Sequence, residues 1–518
     1  MNAFPLITML TAVPLIGALG VLSLGAQNKN LARGIALTFS FIALALTLIL
    51  WYRFNPASSA LQFEELHAWI PAIGVQYHVG ADGLGLLMLL LSAIVVPMSI
   101  AASWQVQEGA PLYFSLILFL QAGLFGTFSA LNFFHWFIFW ELSLIPAFFL
   151  IRLWGGPERA FAATQFFVYT MVGSVALLLA FLAIFQCTGK FDFISLSELA
   201  RSGQLIPAFA GKIGWHKLAP QQIALIIFCG AFLGFAVKVP LIPFHTWLPE
   251  AYAEASTGTT MLLTGAMSKM GVYSFLRILL PIFYVEMRSL RTPLLWLAVA
   301  TIILSAYAAL VQTDLKRILA YSSINHLGYC MLGIFSVAGF AGDNAAFATD
   351  KVATLNGVML QMFNHGLTAA TLFWFVALLE KRSGGVRGLN DFGGLRRVAP
   401  VFCGLMGIAL FSSLGLPGLN GFVGEFLIFR GAFPLATWAT ALAVIGLLAT
   451  AIFILTILQH VFSGPLNERW SRLPELSTGE RFALLPPIAI MFVLGIYPQL
   501  VLGVINSTAI KLAQQLRY

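Results

Sequence analysis

Runs of about twenty apolar residues, separated by short polar connections, recur along the whole chain and set its pattern. A helix rises 1.5 Å per residue, so about 20 apolar residues cross the ~30 Å hydrocarbon layer of a bilayer. Fourteen spanning helices are predicted on this basis, at residues 3–24, 34–52, 83–104, 111–130, 131–151, 161–187, 221–248, 256–280, 293–311, 316–338, 353–380, 399–430, 437–462 and 483–505. The division of the 111–151 block rests on length alone. Three longer polar connections lie between the runs: 53–82, carrying Glu64, Glu65 and Asp82; 188–220, whose FDFISLSEL predicts a short surface helix; and 381–398. The pattern predicts an all-α polytopic membrane protein with no separate soluble domain.

Two runs are interrupted. Lys238-Val-Pro240 with Pro243 breaks the 221–248 run, and SSLGLPGLNGFVGEF, with Pro417 and four glycines before Glu425, breaks 399–430. Proline lacks the amide donor a helix needs, and glycine disfavours a continuous helix, so both runs are predicted to be broken helices. Such breaks occur in membranes where freed carbonyls line a cavity or are buried in protein.

Composition agrees with the pattern and narrows it. The 518 residues are 59% hydrophobic and 9% charged, with mean hydropathy +0.90, against about 25% charged residues in soluble domains. The net charge of +8 is not a nucleic-acid footprint, because the 28 lysines and arginines lie mostly in short loops, where they set topology. The face bearing Lys381, Arg382, Arg387, Arg396 and Arg397 holds 14 of them against 12 opposite. That face is expected to be cytoplasmic, with both termini on the other side. Cys187, Cys229, Cys330 and Cys403 have no CxxC spacing, so neither a metal site nor a disulfide framework is expected. The run from Ala3 lacks a basic n-region and exceeds a signal peptide's apolar core, so it is read as the first membrane helix. No GxGxxG follows a strand, so this chain is not expected to bind NAD.

The chemistry lies in ionisable residues inside the runs. A charge at the bilayer centre costs several kcal/mol, so such residues normally face a bundle interior and serve ion or substrate movement. Glu141 sits among aromatics with no local basic partner, Lys238 stands at the first break, and Lys269 is in the middle of the next run. A buried lysine suits proton handling because desolvation and a nearby carboxylate pull its proton affinity in opposite directions. His326 and His365 titrate near neutrality and can relay between two partners, with Ser322, Ser323, Asn325 and Tyr329 beside the first; Glu425 follows the second break. Lone histidines on apolar helices are also often satisfied core residues. His135 is either a neighbour of Glu141 or a member of an aromatic belt. His245 is placed to shape the break, and Glu250 and Glu254 to cap the next helix.

These motifs together are specific. FWELSLIPAFFLI around Glu141, FAVKVPLIPFHTWLPEAYAEAS around Lys238, LLTGAMSKMGVYSFLRI around Lys269, DLKRILAYSSINHLGY around His326, QMFNHGL around His365 and GLPGLNGFVGEFLI around Glu425 lie in six different runs, and the likeness they carry extends over nearly all fourteen. The chain resembles the proton-translocating antiporter-like subunits of bacterial respiratory complex I, NADH:quinone oxidoreductase, and among them subunit M, also called chain 4. The resemblance implies that Glu141 pairs with Lys238, that Lys269 and the histidines form a hydrated central axis, and that Glu425 terminates it. It implies two inverted five-helix units, giving segments 1–110, 111–280, 281–462 and 463–518. It also implies residence in a bacterial inner membrane beside antiporter-like subunits L and N, with FMN, iron-sulfur clusters and quinone held by partner subunits and no redox centre in this chain.

Two features distinguish the chain within that group. Subunit L usually has a lysine at the second break and a long lateral C-terminal helix, whereas here Glu425 occupies that position and the sequence ends at Tyr518. The histidine usual after WLPxA is Tyr252, which puts the path near that loop in question. The alternatives are a cation/proton antiporter subunit of the multisubunit sodium/proton type, or the equivalent subunit of a hydrogenase or ferredoxin-dependent complex.

Overall fold

The computed structural model describes residues 4–210, 217–340 and 345–516; Ala3, expected to open the first span, and part of the 188–220 connection lie outside them. Long helices account for nearly all the apolar runs. They are α1 (Leu6–Leu22), α2 (Lys29–Arg53), α3 (Gly83–Ala102), α4 (Ala110–Ser129), α5 (Phe133–Trp154), α6 (Arg159–Thr188), the short α7 (Phe193–Arg201) and α8 (Pro220–Lys238). After these come α9 (Trp247–Glu254), α10 (residues 257–282), α11 (Arg291–Leu310), α12 (Leu315–Gly339), α13 (Ala348–Ser383), α14 (Pro400–Leu414), α15 (Asn420–Leu435), α16 (Thr437–Ile457), α17 (Thr478–Ile496) and α18 (Gln499–Gln515).

Eleven of the described helices are long and apolar enough to cross a membrane unaided. The other three predicted runs contain helix too, but differently built. Helix α1 is shorter, at 17 residues; α10 is divided by π-turns at Leu263–Met267 and Phe275–Leu279; and the 399–430 run is split into α14 and α15. Helices α12 and α13 are buried on all sides, whereas α2, α6 and α16 keep broad apolar faces exposed. With no water to satisfy a backbone in lipid, all-round apolar helices with internal hydrogen bonds are the structure such a sequence can form.

Both predicted breaks are present, and each is closed by specific donors. Helix α8 stops at Lys238 and helix resumes at Trp247. Between them the Leu241 amide donates to the Ala236 carbonyl at 2.9 Å, the Trp247 indole donates to the Val237 carbonyl at 3.0 Å, and the Ile242 amide donates to the Thr301 hydroxyl on α11 at 3.2 Å. Helix α14 ends on Gly415 at φ +83°, a left-handed position that favours glycine. Asn420 then starts α15 and is tied across the gap: its side-chain oxygen accepts from Ser412 at 2.5 Å and its carbonyl accepts from Asn364 at 2.6 Å.

Three features depart from the expected elements. The 53–82 connection forms an antiparallel hairpin, Gln62–Ile70 paired with Val75–Ala81, so the chain is not helical throughout. The last run breaks at Tyr497, and α18 turns back against the start of α3, where the Gly83 amide donates to Thr508 at 3.0 Å. Glu250 and Glu254 do not cap α10. Glu250 makes two hydrogen bonds with Arg317 of α12 at 3.0 and 2.8 Å, while Glu254 accepts from the Glu158 amide at the start of α6 at 2.9 Å. Neither carboxylate had a visible partner in local sequence, and both partners come from distant helices.

Candidate functional site

Lys269 is fully buried on α10, immediately after the first π-turn. Its ammonium donates to the Thr264 carbonyl in that turn and lies 2.8 Å from His365 Nδ1 and 3.3 Å from Ser268 Oγ. A π-turn offsets the helical hydrogen-bond register, and such turns are frequent at functional sites. With the lysine protonated, His365 Nδ1 must accept, which places the imidazole proton on Nε2. The His365 and His326 rings, on α13 and α12, have centroids 5.1 Å apart.

From His326 the sequence continues to the second break. His326 Nε2 is 3.3 Å from Ser413 Oγ, and Nδ1 is 2.8 Å from Glu425 Oε1, a close charge contact that lies off the aligned hydrogen-bond direction. Gln361 donates to the same carboxylate oxygen at 3.1 Å. A polar cavity of about 10 Å³, bounded by His326, His365, Gln361, Ser412 and Glu425, sits within this group. That is the space one water centre occupies, and its wall supplies the several polar partners a water needs. Four predicted site residues, Lys269, His365, His326 and Glu425, are therefore brought into one buried row.

Glu141 and Lys238 are arranged differently. Lys238 is 2% exposed, and its ammonium has no hydrogen-bond partner. It stands 4.9 Å from the centroid of the Trp140 ring, a cation–π contact that offsets part of its desolvation. Glu141 faces Ser174 and feels the charge of Lys238, yet the two do not make a direct ion pair. The contact implied by the resemblance is thus open in this conformation. Nor does a hydrogen bond join Lys238 to Lys269 among the described residues. Helices α8 and α10 meet through apolar contacts, with Phe235 and Phe275 edge to face at 5.9 Å. A Cβ on Gly271 would stand 2.6 Å from Val239 Cγ2, so the backbones approach as closely as glycine permits.

The remaining sequence candidates fall away from this row. His135 packs 4.8 Å from Tyr77 and 4.9 Å from Phe139, ring to ring beneath the hairpin, as an aromatic-belt member would. His245 lies in the first break with its ring 6.4 Å from Tyr321. Tyr252 is fully buried against Phe373. None of the four cysteines is joined in a disulfide, and no group of three or more His, Cys, Asp or Glu suited to a metal occurs among the described residues.

Sequence reasoning missed the neutral members of the row, Thr264, Gln361, Ser413 and Asn420. Their signal was present as hydroxyls and amides inside otherwise apolar runs. It also missed the ion pairs at the two ends of the bundle. Arg277 of α10 pairs with Asp82, and Lys316 with Glu380 at 3.0 Å. Arg387 reaches Asp314, Glu254 and Glu380 together. On the hairpin face, His78 lies between Asp192 at 2.6 Å and Glu64 at 2.9 Å. Burial pulls the imidazole's proton affinity down, but the two carboxylates outweigh it and hold the pKa above the ordinary value.

Comparison with known proteins identifies the family. Residues 130–452 match the family described as NADH:quinone oxidoreductase/Mrp antiporter, TM. The chain is 34% identical to NADH-quinone oxidoreductase subunit M of Rhodobacter capsulatus, over 98% of this chain and 96% of that one. It is likewise 34% identical to F(420)H(2) dehydrogenase subunit M of Methanosarcina mazei, over 98% of each. Its fold superposes with a TM-score of 0.84 on a chain of respiratory complex I from Thermus thermophilus, at 26% identity, covering 99% of this chain and all of that one. A chain of the Mrp complex from Dietzia has the same fold, with a TM-score of 0.81, 19% identity and full coverage of both. With the family match inside the bundle and subunit M relatives along nearly its whole length, the chain belongs to the antiporter-like membrane subunit family of NADH:quinone oxidoreductase.

Proposed function

We propose that this chain moves protons across the membrane as the M-type subunit of a redox-driven complex, with electron transfer carried out by partner subunits. The observation that carries the reading is the buried row Lys269, His365, His326 and Glu425, which ends at a helix break. Each member can gain or lose a proton, and each lies close to the next. Glu141 and Lys238 act at the other end as a switch. In contact, opposite charge favours ionisation of both groups; apart, the lysine is less costly neutral and the glutamate less costly protonated. Closing and opening the pair therefore changes where the proton resides and sends it along the row toward Glu425.

In this reading the chain sits in a bacterial inner membrane, its Arg382 and Arg387 face toward the cytoplasm, beside subunits of the L and N type. The segments 111–280 and 281–462 act as two inverted units, each contributing one broken helix. Flavin, iron-sulfur clusters and quinone belong to the partners. The electron donor belongs to them too, since relatives of equal identity are named for NADH and for F420H2. The exposed apolar faces of α2, α6 and α16 supply the contacts with neighbouring membrane subunits or lipid.

Purification of the tagged chain from its own membranes tests the reading. Recovery with subunits carrying flavin and iron-sulfur centres is expected, together with donor-driven acidification in sealed vesicles. Recovery only with small antiporter subunits would favour a cation/proton antiporter instead. Reconstitution of the chain alone gives no NADH-dependent quinone reduction in this account; robust activity there would overturn it.

A further inference from the structure

At the end of the bundle that carries Lys381 and Arg382, a mostly apolar cleft of about 730 Å³ lies between the early helices and the late ones. Its inner wall comes from α3 and α13, both deeply buried, and its outer wall from α2 and α17, the two least buried of the eleven spanning helices. The cleft therefore adjoins faces that meet lipid. Trp374, Ala377 and Lys381 follow one another along the α13 wall, three and four residues apart on one helix face. At 1.5 Å per residue that wall runs about 10 Å from Lys381 at the rim to Trp374 inside. The floor is closed by hydroxyls that bond one another: Tyr113 lies 2.8 Å from Ser103 and 3.0 Å from Ser256, which precedes α10.

Charge around the cleft is unbalanced. Lys381 is half exposed and stands 4.0 Å from Glu480, at the limit of an ion pair. That carboxylate is already held by Arg382 and by the Ser477 amide and hydroxyl, at 2.8 and 2.9 Å, where it caps α17. Arg382 also donates to the carbonyl of Leu378, a lining residue, at 3.0 Å. On the α2 side, Arg33 is buried, donates to the Val106 carbonyl at 2.9 Å and faces the Trp104 ring, both in the lining. Its Nε has no partner, and no carboxylate lies within ion-pair distance of it among the described residues. Three cations thus line the cleft or touch its lining, against one carboxylate.

An apolar cleft beside lipid, with an uncompensated cationic rim where the helices end, fits an amphiphile with an anionic head. We propose that this cleft holds one anionic glycerophospholipid, its phosphate at Lys381 and an acyl chain running inward between Trp374 and Ala483. The volume lies within the about 300–1,000 Å³ of sites that enclose a single small ligand. A helix from a neighbouring subunit fits less well, since two turns, about 11 Å across and 11 Å long, fill roughly 1,000 Å³. Basic pockets between spanning helices suit anionic headgroups on the cytoplasmic side, which is the side of Lys381 in the proposed orientation. The lipid joins α2 and α3 to α13 and α17 beside the start of the Lys269 helix. Its binding does not depend on proton movement by the row.

A photo-reactive benzophenone residue at Leu37, in the cleft wall, tests this in the assembled complex. The complex is purified in detergent, which washes away loosely held lipid, and then irradiated. An adduct of this chain with an anionic phospholipid, read by its mass, is expected at Leu37 and not at Leu448, which is exposed on α16. Lys381→Glu reverses the rim charge, and Ala483→Trp fills the cleft from its outer wall. Each should lower the adduct about tenfold in assembled complex.

An adduct at Leu37 to a partner polypeptide, to detergent alone or to zwitterionic lipid alone would overturn the proposal. So would no adduct there, or an equal lipid adduct at Leu448. Wild-type adduct yield in either assembled variant would overturn it too.

Discussion

The two broken helices use the same backbone device for opposite electrostatic ends. At α14–α15 the gap is bridged by Asn420, Ser412 and Asn364, and Glu425 already touches His326 and Gln361. At α8–α9 the gap is closed by backbone and indole donors, and Lys238 has an aromatic face but no hydrogen-bond partner. A buried charge without a partner is expensive, by several kcal/mol. On the proposed reading the first break holds the group whose state changes with small movements, while the second holds one that is already connected. A pump needs both: a row that conducts and a pair that opens and closes.

The largest effect is expected within the row. Lys269→Ala removes the contact with His365 and should lower coupled proton movement through this chain by about 10²-fold, the lower end of what positioned acid–base groups contribute. Acidification rates of sealed vesicles, normalised to assembled complex, measure it. A near-wild-type rate would mean that the row is a structural hydrogen-bond chain.

The rigidity of the second break gives a smaller, structural effect. A Cβ at Gly421 would stand 1.9 Å from the Ser412 carbonyl, so Gly421→Ala must push α14 and α15 apart at a cost of about 1–3 kcal/mol. Reduced thermal stability of the assembled complex is expected. An unchanged melting temperature would show that this break is as adaptable as the first.

The hairpin face offers a test by pH. The pKa of His78 is raised in the folded chain by Asp192 and Glu64, so its contribution to stability is complete below about pH 6.5, the ordinary imidazole value. That contribution is lost as pH rises through the raised folded value. Asp192 is shifted the other way: burial raises its pKa, but the hydrogen bonds from His78 and the Ser195 amide, with the His78 charge, together outweigh this and the net shift is down. Its contribution is present above the ordinary carboxylate value and lost as pH falls through the lowered one. Protection factors of the 62–81 hairpin amides, taken relative to the base-catalysed intrinsic exchange rate, should fall on going from pH 6 to pH 9 in wild type, and much less so in His78→Gln. The smallest effect is expected at Glu250–Arg317. Both side chains there are about one-third exposed, so Glu250→Gln should cost under about 1 kcal/mol.

Much of this architecture was legible in the runs themselves. Length gave the helices, and Pro240, Pro243, Pro417 and the glycines near Glu425 placed both breaks. Lys238, Lys269 and Glu425 stood out because an ionisable residue in an apolar run needs a reason to be there. What stayed hidden depended on distant contacts. The strands of the hairpin, QFEELHAWI and VQYHVGA, mix polar and apolar residues without strict alternation, so they read as a loop, and the turn at Tyr497 was masked by an apolar run that continues past it. That Glu254 would cap α6 and Arg277 would find Asp82 follows from packing of helices far apart in sequence. The separation of Glu141 from Lys238 is likewise a property of conformation, which no residue pattern encodes.

Transport on this reading requires the Glu141–Lys238 pair to switch and the Lys269–Glu425 row to conduct. The most direct test is the proton-to-electron ratio of the assembled complex in sealed vesicles, comparing Lys238→Ala and Glu141→Asp with wild type. A reduced ratio is expected for Lys238→Ala and partial retention for Glu141→Asp, whose shorter carboxylate keeps the charge. A wild-type ratio from fully assembled Lys238→Ala complex would contradict it and leave the lysine a structural residue.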